Sequence, residues 1–155
     1  GTHNAWWTPQ IFTPIRVGLY PTAVSFAANG DNHLDANEQI TITFNQAVND
    51  ASVGSGVCEV GGMLIVGFTG TCSASATATI ATITGLSVKK TGSNTVTVST
   101  AGAQVTVTLT SSNPGNSQSV SGTGTLTAST NITSSTGGAQ ACTASFCQLP
   151  VTSGF

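Results

Sequence analysis

The chain has 155 residues, of which 39% are hydrophobic and only 5% are charged, and its formal net charge is −2. This length is typical of one domain with a substantial core. Three basic residues are too few to neutralise nucleic-acid phosphates or to bind an anionic membrane surface. Because hydrophobic and β-branched residues are abundant, we expect a chain that folds as strands and is not disordered.

The first 22 residues form an apolar N-terminal extension that is punctuated by Pro9 and Pro14. Residues 15–20 alternate in polarity, which predicts an extended strand, and Pro21 is expected to end it. The large apolar side chains of the extension are suited to anchor a subunit interface. They are Trp6, Trp7, Ile11, Phe12, Ile15, Val17 and Leu19.

Seven further segments have the alternation or the short apolar run of a strand. They are Val24–Phe26, Gln39–Val48, Met63–Phe68, Thr77–Thr84, Asn94–Ser99, Gln104–Thr110 and Ser119–Thr127. No segment has the pattern of a helix of about ten residues. Short strands that are separated by frequent turn signals predict an all-β fold, a β-sandwich of the Ig-like or jelly-roll-like kind, over residues 23–155.

Two strand patterns make specific predictions about packing. Ile40, Ile42 and Phe44 fall on one face of the predicted strand Gln39–Val48, so we expect them in the core. The segments Asn94–Ser99 and Gln104–Thr110 are separated by a short connection at Ala101-Gly102, which predicts a hairpin.

Three of the five acidic residues of the chain lie within eight positions, in the polar segment that follows Val24–Phe26. From its third position onward the segment matches the calcium-binding loop of EF-hand proteins, with an apolar residue at position 8. Position 1 is Ala27, which has no ligand atom in its side chain, and position 6 is Asn32 where the motif has Gly. The predicted calcium ligands are Asn29, Asp31, the backbone carbonyl of His33, Asp35 and Glu38.

The alternative is that this segment is a plain polar turn, which the Asn29-Gly30 pair reverses. In a chain with so few charges, clustered carboxylates repel one another and need a reason to lie together. A ligand that the loop lacks could also be supplied by a neighbouring subunit, which would couple calcium to assembly.

The four cysteines, Cys58, Cys72, Cys142 and Cys147, predict two disulfides and an oxidising, extracellular location. Three connectivities are possible. We favour the pairs Cys58–Cys72 and Cys142–Cys147, because each is local and encloses a turn-rich stretch. Neither pair has the CxxC-like spacing of a metal site.

The segment from Asn29 to Val53 carries a resemblance to a known family. A loop of the type Asn-Gly-Asp-Asn-x-Leu-Asp-x-x-Glu is followed by Ile-Thr-Ile-Thr-Phe at 40–44 and by Ala-Ser-Val at 51–53. This pattern resembles bacterial Ig-like surface-protein domains, over roughly Val24 to Leu109. The resemblance implies a β-sandwich with an adhesive or structural role outside the cell.

The layout of an apolar extension before a Thr- and Ser-rich sandwich also resembles archaeal extracellular filament subunits, namely bundling pili, threads and cannulae. That resemblance implies subunits that link by donating a terminal strand to a neighbour. A donated strand completes the hydrogen-bonded ladder of an open sheet edge. Head-to-tail donation never closes, so it yields a homopolymer. The alternative is that residues 15–20 are the first strand of their own sandwich.

Two other classes of function are alternatives to a filament subunit. An enzyme is disfavoured, because two histidines, five carboxylates and no Gly-x-Ser-x-Gly motif leave few groups for catalysis. A carbohydrate-binding module, in which Trp6, Trp7 and Tyr20 would stack on surface glycans, is the stronger rival. Adjacent residues of a strand face opposite sides, so Trp6 and Trp7 would not form one platform. Asn131-Ile132-Thr133 is a sequon for N-glycosylation at Asn131.

Overall fold

The computed structural model describes residues 18–54, 57–60, 63–67, 79–89, 95–111 and 119–155. Within these ranges there are strands, two short 3-10 turns (Asp50–Ser52 and Ser145–Cys147) and no α-helix, so the all-β prediction is confirmed. No helix in the described ranges is long and apolar enough to cross a membrane. The strands are β1 (Pro21–Ala27), β2 (Gln39–Phe44), β3 (Val57–Val60), β4 (Met63–Val66), β5 (Ala81–Thr84), β6 (Ser87–Val88), β7 (Thr95–Ala101), β8 (Gln104–Ser111), β9 (Val120–Ser121), β10 (Thr123–Ala128) and β11 (Leu149–Thr152).

The strands form two main antiparallel sheets and one short ribbon. The first sheet has the order β1-β2-β8-β7 and the second the order β11-β10-β5-β4-β3, while β6 pairs with β9. In the first sheet, Ile40, Ile42 and Phe44 are buried and the residues between them are half-buried. The face predicted from the alternation of β2 is therefore the face that packs in the core.

One hydrophobic core lies between the two sheets and takes side chains from both. Ile42 and Val105 of the first sheet and Ile83 and Leu126 of the second are fully buried. Burying a side chain of this size stabilises the fold by about 1.5 to 3 kcal/mol. Two sheets that share one core in this way form a sandwich-like fold.

The apolar run Met63–Val66 is an interior strand, as its composition predicts. It lies between β3 and β5, and Leu64, Ile65 and Val66 are each 1% exposed. Consecutive residues of a strand point to opposite faces, so β4 is buried on both of them.

The hairpin between β7 and β8 is present, with Gly102 and Ala103 at its turn. Gly102 has a φ of 59°, in the left-handed region that glycine adopts without strain. The inward residues of β8 are buried, whereas Val96 and Val98 of β7 are only half-buried, because β7 is the last strand of its sheet.

Several strand predictions needed correction. Pro21 begins β1 instead of ending a strand, since the first residue of an edge strand can lack its N–H without loss. The segment predicted as Ser119–Thr127 divides into β9 and β10 at Gly122, which has a φ of 90°. Strands β3, β6 and β11 were not predicted, and in β11 the pattern is interrupted by Pro150. An edge strand tolerates that proline.

Leu19 lies in the core of its own chain, contrary to its prediction as an interface residue. Its side chain is fully buried, and it forms a parallel bridge with Ala141. The other predicted interface residues lie outside the described ranges. They are Trp6, Trp7, Ile11, Phe12, Ile15 and Val17.

Candidate metal centre

The β1–β2 loop brings three carboxylates together at one end of the sandwich. One oxygen each of Asp31, Asp35 and Glu38 lies within 4.8 Å of the others. Asp31 is exposed and Asp35 is half-buried, whereas Glu38 is only 5% exposed. The cluster is therefore open to solvent on one side and supported by the protein on the other.

The backbone of the loop turns through three left-handed residues. Gly30, Asn32 and Asn37 have φ values of 78°, 66° and 73°. Asn adopts this region more readily than other residues with a side chain, because its short amide hydrogen-bonds locally. Asn32 therefore has the conformation for which the EF-hand motif uses glycine at the same position.

Short-range hydrogen bonds from side chain to backbone shape the exposed half of the loop. The backbone nitrogen of Asp31 donates to Asn29 Oδ1 at 3.0 Å, and that of His33 donates to Asp31 Oδ1 at 2.9 Å. These are Asx-type turns, which replace regular backbone pairing in polar loops. They fix the direction of Asp31 toward the interior of the loop.

Glu38 supports the loop from its buried side. Its Oε1 accepts from the backbone nitrogen of Asn29 at 3.0 Å, and its Oε2 accepts from the backbone nitrogen of Asp35 at 2.9 Å. Hydrogen bonds to an ionised group are stronger than those between neutral groups. Both oxygens of this buried carboxylate are thus satisfied by the loop that they organise.

In the described part of the chain, the side chains that face the three carboxylates are neutral, as in Asn29, or weakly basic, as in His33. Asn29 Nδ2 donates to Asp31 Oδ2 at 3.4 Å and to Asp35 Oδ2 at 3.2 Å. His33 Nδ1 lies 3.7 Å from Asp31 Oδ1, and both side chains are about half exposed. Two carboxylates at such a separation repel by about 1 to 3 kcal/mol, depending on the effective dielectric constant.

Contacts with three other parts of the domain hold the loop in place. Asn32 donates its backbone N–H to Phe155 O at 2.9 Å and accepts from Val120 N at 2.7 Å. Asn37 N donates to Leu109 O at 2.6 Å. Leu34, at the middle of the loop, is 6% exposed and packs in the hydrophobic core. The carboxylates therefore lie on a loop whose backbone is fixed at several points.

The donor set suits a hard cation such as Ca²⁺, which prefers oxygen ligands. Asp31, Asp35 and Glu38 already converge. Asn29 is the fourth predicted ligand, but its amide nitrogen, rather than its oxygen, faces the carboxylates. Coordination by Asn29 would require its amide to turn over. The ring of His33 contacts Asp31 O at 3.0 Å, and the predicted ligand at His33 is its backbone carbonyl.

The cysteine prediction is confirmed in part, and glycosylation at Asn131 stays a prediction. Cys142 and Cys147 form a disulfide, with an S–S distance of 2.08 Å and a Cα–Cα distance of 5.9 Å. The second predicted pair lies outside the described residues, since they include neither Cys72 nor the side chain of Cys58. Asn131 is exposed in a turn, where a glycan would be accessible.

Sequence reasoning missed a second polar site, at Asn45, which directly follows β2. Its Oδ1 accepts from Tyr20 N at 2.8 Å, its Nδ2 donates to Gly18 O at 2.9 Å, and its backbone nitrogen donates to Tyr20 O at 3.0 Å. On the other side, Cys142 N donates to Leu19 O at 2.7 Å. Nothing in the local pattern distinguishes Asn45 from other polar residues at strand ends, so only the tertiary structure identifies this clamp.

Comparison of the chain with protein-family models, with curated proteins and with solved structures found no match. The likeness to bacterial Ig-like domains and to archaeal filament subunits therefore stays a prediction from the sequence. What the chain does has to be inferred from its own residues and their contacts.

Proposed function

We propose that the chain is a structural subunit of an extracellular filament or surface assembly, that it polymerises by β-strand complementation, and that calcium stabilises its β1–β2 loop. The observation that carries the proposal is the clamp on Gly18–Tyr20. It anchors residues 18–20, which belong to the apolar N-terminal extension, in the domain.

The clamp supports donation because it separates an anchored part of the chain from the part that would be donated. Leu19 is fully buried, and the backbone of Gly18–Tyr20 is hydrogen-bonded on one side to Asn45 and on the other to Cys142. A strand that is pulled into a neighbour transmits force to its point of attachment. An attachment that is built into the core and adjoins a disulfide is suited to that load.

The scarcity of charge supports a protein that associates with its own copies. With three basic and five acidic residues in 155, little electrostatic repulsion keeps copies apart. Among the described residues, Phe146 is the only large hydrophobic side chain that is highly exposed, at 73%. Association through an open strand edge does not require a large apolar patch, since backbone hydrogen bonds supply much of the affinity.

The calcium part of the proposal rests on the convergence of Asp31, Asp35 and Glu38. A divalent cation would replace three-way repulsion with attraction, and it would do so at the loop that contacts both Leu109 of β8 and Phe155 near the C-terminal strand. Binding of a ligand to the folded state alone raises the free energy of unfolding by mass action. Calcium would therefore stiffen one end of the sandwich.

A carbohydrate-binding or adhesin module is the second candidate. The observation that favours it is Phe146, whose exposed ring lies on the short 3-10 turn that the Cys142–Cys147 disulfide closes. A rigidly presented aromatic ring is a common element of sugar-binding surfaces. This function predicts a monomer that binds an insoluble glycan and loses binding on substitution Phe146→Ala.

Negative-stain electron microscopy of the purified full chain, with calcium and with a chelator, tests the proposal. We expect ordered fibres with calcium, and shorter or fewer fibres after chelation. The variant Asp31→Asn/Asp35→Asn should resemble the chelated protein at every calcium concentration, whereas Asp50→Asn, which removes a carboxylate outside the cluster, should keep the difference between calcium and chelator. Monodisperse particles under all conditions, at concentrations up to the solubility limit, would exclude self-assembly and favour the glycan-binding module.

A further inference from the structure

The outer edge of β7 is a place where a strand can be added to the sandwich. β7 is the last strand of the first sheet, and no described strand pairs with its outer side. Its inward residues Val96 and Val98 pack against the core but are only half-buried, whereas Val105 and Val107 of the adjacent β8 are at most 1% exposed. The inward side chains of β7 are therefore less buried than those of β8, and a further apolar strand outside β7 would cover them.

The middle of this edge lacks the features that usually prevent strands from pairing, whereas the Asp50 carboxylate contacts Thr100 near one end and a register irregularity lies at the other. Edge strands are commonly protected by charged residues, by proline or by bulges. Residues 96–101 of β7 include no charged residue and no proline, and the irregularity in the β7–β8 register is confined to Thr95/Val96. By contrast, β11, at the edge of the second sheet, contains Pro150.

Residues 11–17 have the sequence of a strand that would fit this edge. The segment has seven residues, enough to cover residues 96–101 of β7, and its odd-numbered positions include Ile11, Ile15 and Val17. If the strand runs antiparallel to β7 and these residues face the core, their backbone groups face β7, because side-chain direction and hydrogen-bonding direction both alternate with period two. Pro14 then falls in the even-numbered set, whose backbone groups face away from β7, where a missing N–H is tolerated.

The strand cannot come from the same chain. Residues 18–20 directly precede β1 and extend its line alongside β2. Asn45, which directly follows β2, hydrogen-bonds to both Gly18 and Tyr20. A strand outside β7 would lie four strand spacings from that line, or about 19 Å. The Cα of Val17 is about 3.8 Å from the Cα of Gly18. Val17 therefore cannot reach the β7 edge of its own domain, although it can reach that of an adjacent copy.

We propose that the outer edge of β7 accepts residues 11–17 of a second copy of this chain. This inference rests on the proposed function, for which it names the acceptor. Donor and acceptor lie on opposite edges of the first sheet, so each copy uses both, and the assembly grows head to tail without closing.

Two full-length variants with complementary defects test the acceptor. Ile15→Lys/Val17→Lys removes the apolar face of the donor, and Val98→Lys places a charge on the inward face of the acceptor. Neither variant alone should polymerise, and their equimolar mixture should form a one-to-one dimer, detected by light scattering after size exclusion. The dimer forms because the Val98→Lys protein keeps an intact donor segment, and the Ile15→Lys/Val17→Lys protein keeps an intact acceptor edge on β7. The control Val24→Lys changes a half-buried valine of β1, at the opposite edge of the same sheet, and should polymerise like the unchanged chain.

The outcomes separate this inference from the proposed function. If Val98→Lys is folded by circular dichroism and its critical concentration stays within about twofold of that of the unchanged chain, β7 is not the acceptor although the chain polymerises. If the unchanged chain stays monomeric, both proposals fail. Hydrogen exchange on the unchanged polymer requires no substitution in the core and serves as the second measurement. Slower exchange of the amides in residues 96–101 than in the monomeric donor variant supports the assignment, and equal exchange there overturns it.

Discussion

The carboxylate of Glu38 closes the β1–β2 loop onto Asn29, nine residues earlier, by accepting the backbone N–H of Asn29 at 3.0 Å. The last acidic residue of the loop thus holds its first polar residue in place. The second oxygen of Glu38 accepts from the backbone of Asp35 at 2.9 Å. One buried side chain therefore organises the loop before any cation is added, so its structural role and its role as a ligand can be separated by substitution.

The substitution Glu38→Gln should weaken the fold even without calcium. The amide of Gln can accept only one of the two N–H groups and directs its own N–H toward the other. Leaving a buried donor unsatisfied costs about 1 to 3 kcal/mol. Urea denaturation in chelator should show this loss as a lower midpoint with an unchanged slope. A midpoint equal to that of the unchanged chain would mean that Glu38 does not organise the loop.

The paired substitution Asp31→Asn/Asp35→Asn should have the opposite effect in chelator. It removes two of the three repelling charges from partly exposed positions, so the free energy of unfolding should stay within about 0.5 kcal/mol of the unchanged value or rise. In millimolar calcium the melting temperature of the unchanged chain should rise, and that of the variant should not.

Asp50→Asn is the matched control for this pair. Asp50 lies in a 3-10 turn, where it accepts from the hydroxyl of Thr100, and it does not belong to the cluster. Its substitution should preserve the calcium-dependent rise in melting temperature. A calcium response that Asp31→Asn/Asp35→Asn retains in full would show that calcium binds elsewhere or that its effect is nonspecific.

The sequence predicted the features that depend on local periodicity and on spacing. The burial of Ile40, Ile42 and Phe44 follows from alternation, and the convergence of Asp31, Asp35 and Glu38 follows from the spacing of a calcium loop. Both patterns are encoded within about ten consecutive residues, and the binding of calcium by the three carboxylates stays a prediction.

Features that depend on distant pairing were not predicted. The clamp at Asn45 joins residues that are 25 to 27 positions apart, and the bridge from Leu19 to Ala141 spans most of the chain. Strand β11 contains Pro150, and it forms because β10 offers a partner edge that its own sequence does not reveal. Such contacts are determined by the tertiary fold, which overrides weak local preference.

Asn45→Asp should loosen the attachment of the N-terminal extension. Aspartate can still accept from Tyr20 N, but it cannot donate to Gly18 O and would face that oxygen with a negative charge. We expect a loss of about 1 to 2 kcal/mol and faster hydrogen exchange at Tyr20 and Cys142. The conservative comparison Asn45→Gln keeps both hydrogen-bonding groups on a longer side chain, and it should lose less. Equal exchange in all three proteins would show that the clamp does not hold the extension.

Replacing the disulfide by Cys142→Ser/Cys147→Ala should destabilise the domain moderately. The pair closes a short loop, with a sequence separation of 5, for which the chain-entropy relation gives about 2 kcal/mol. The effect should appear as a lower melting temperature that falls less on addition of a reducing agent than that of the unchanged chain. If the disulfide supports the clamp through Cys142 N and Leu19 O, hydrogen exchange at Cys142 should also accelerate. Exchange that changes only within residues 143–148 would limit the disulfide to a local role.

Gly124→Ala should be the most damaging of these single changes. Gly124 lies on β10 between β5 and β11, and a Cβ atom there would overlap the carbonyl oxygen of Thr84 and approach Ile83 Cγ2 to 3.3 Å. The overlapping atom belongs to the backbone of a central strand, so it cannot move without disturbing the β5–β10 ladder. We expect a loss of about 2 to 3 kcal/mol, measured by urea denaturation. The neighbouring exposed substitution Thr123→Ala should be nearly neutral, and equal losses for the two would mean that β10 does not pair with β5 in this register.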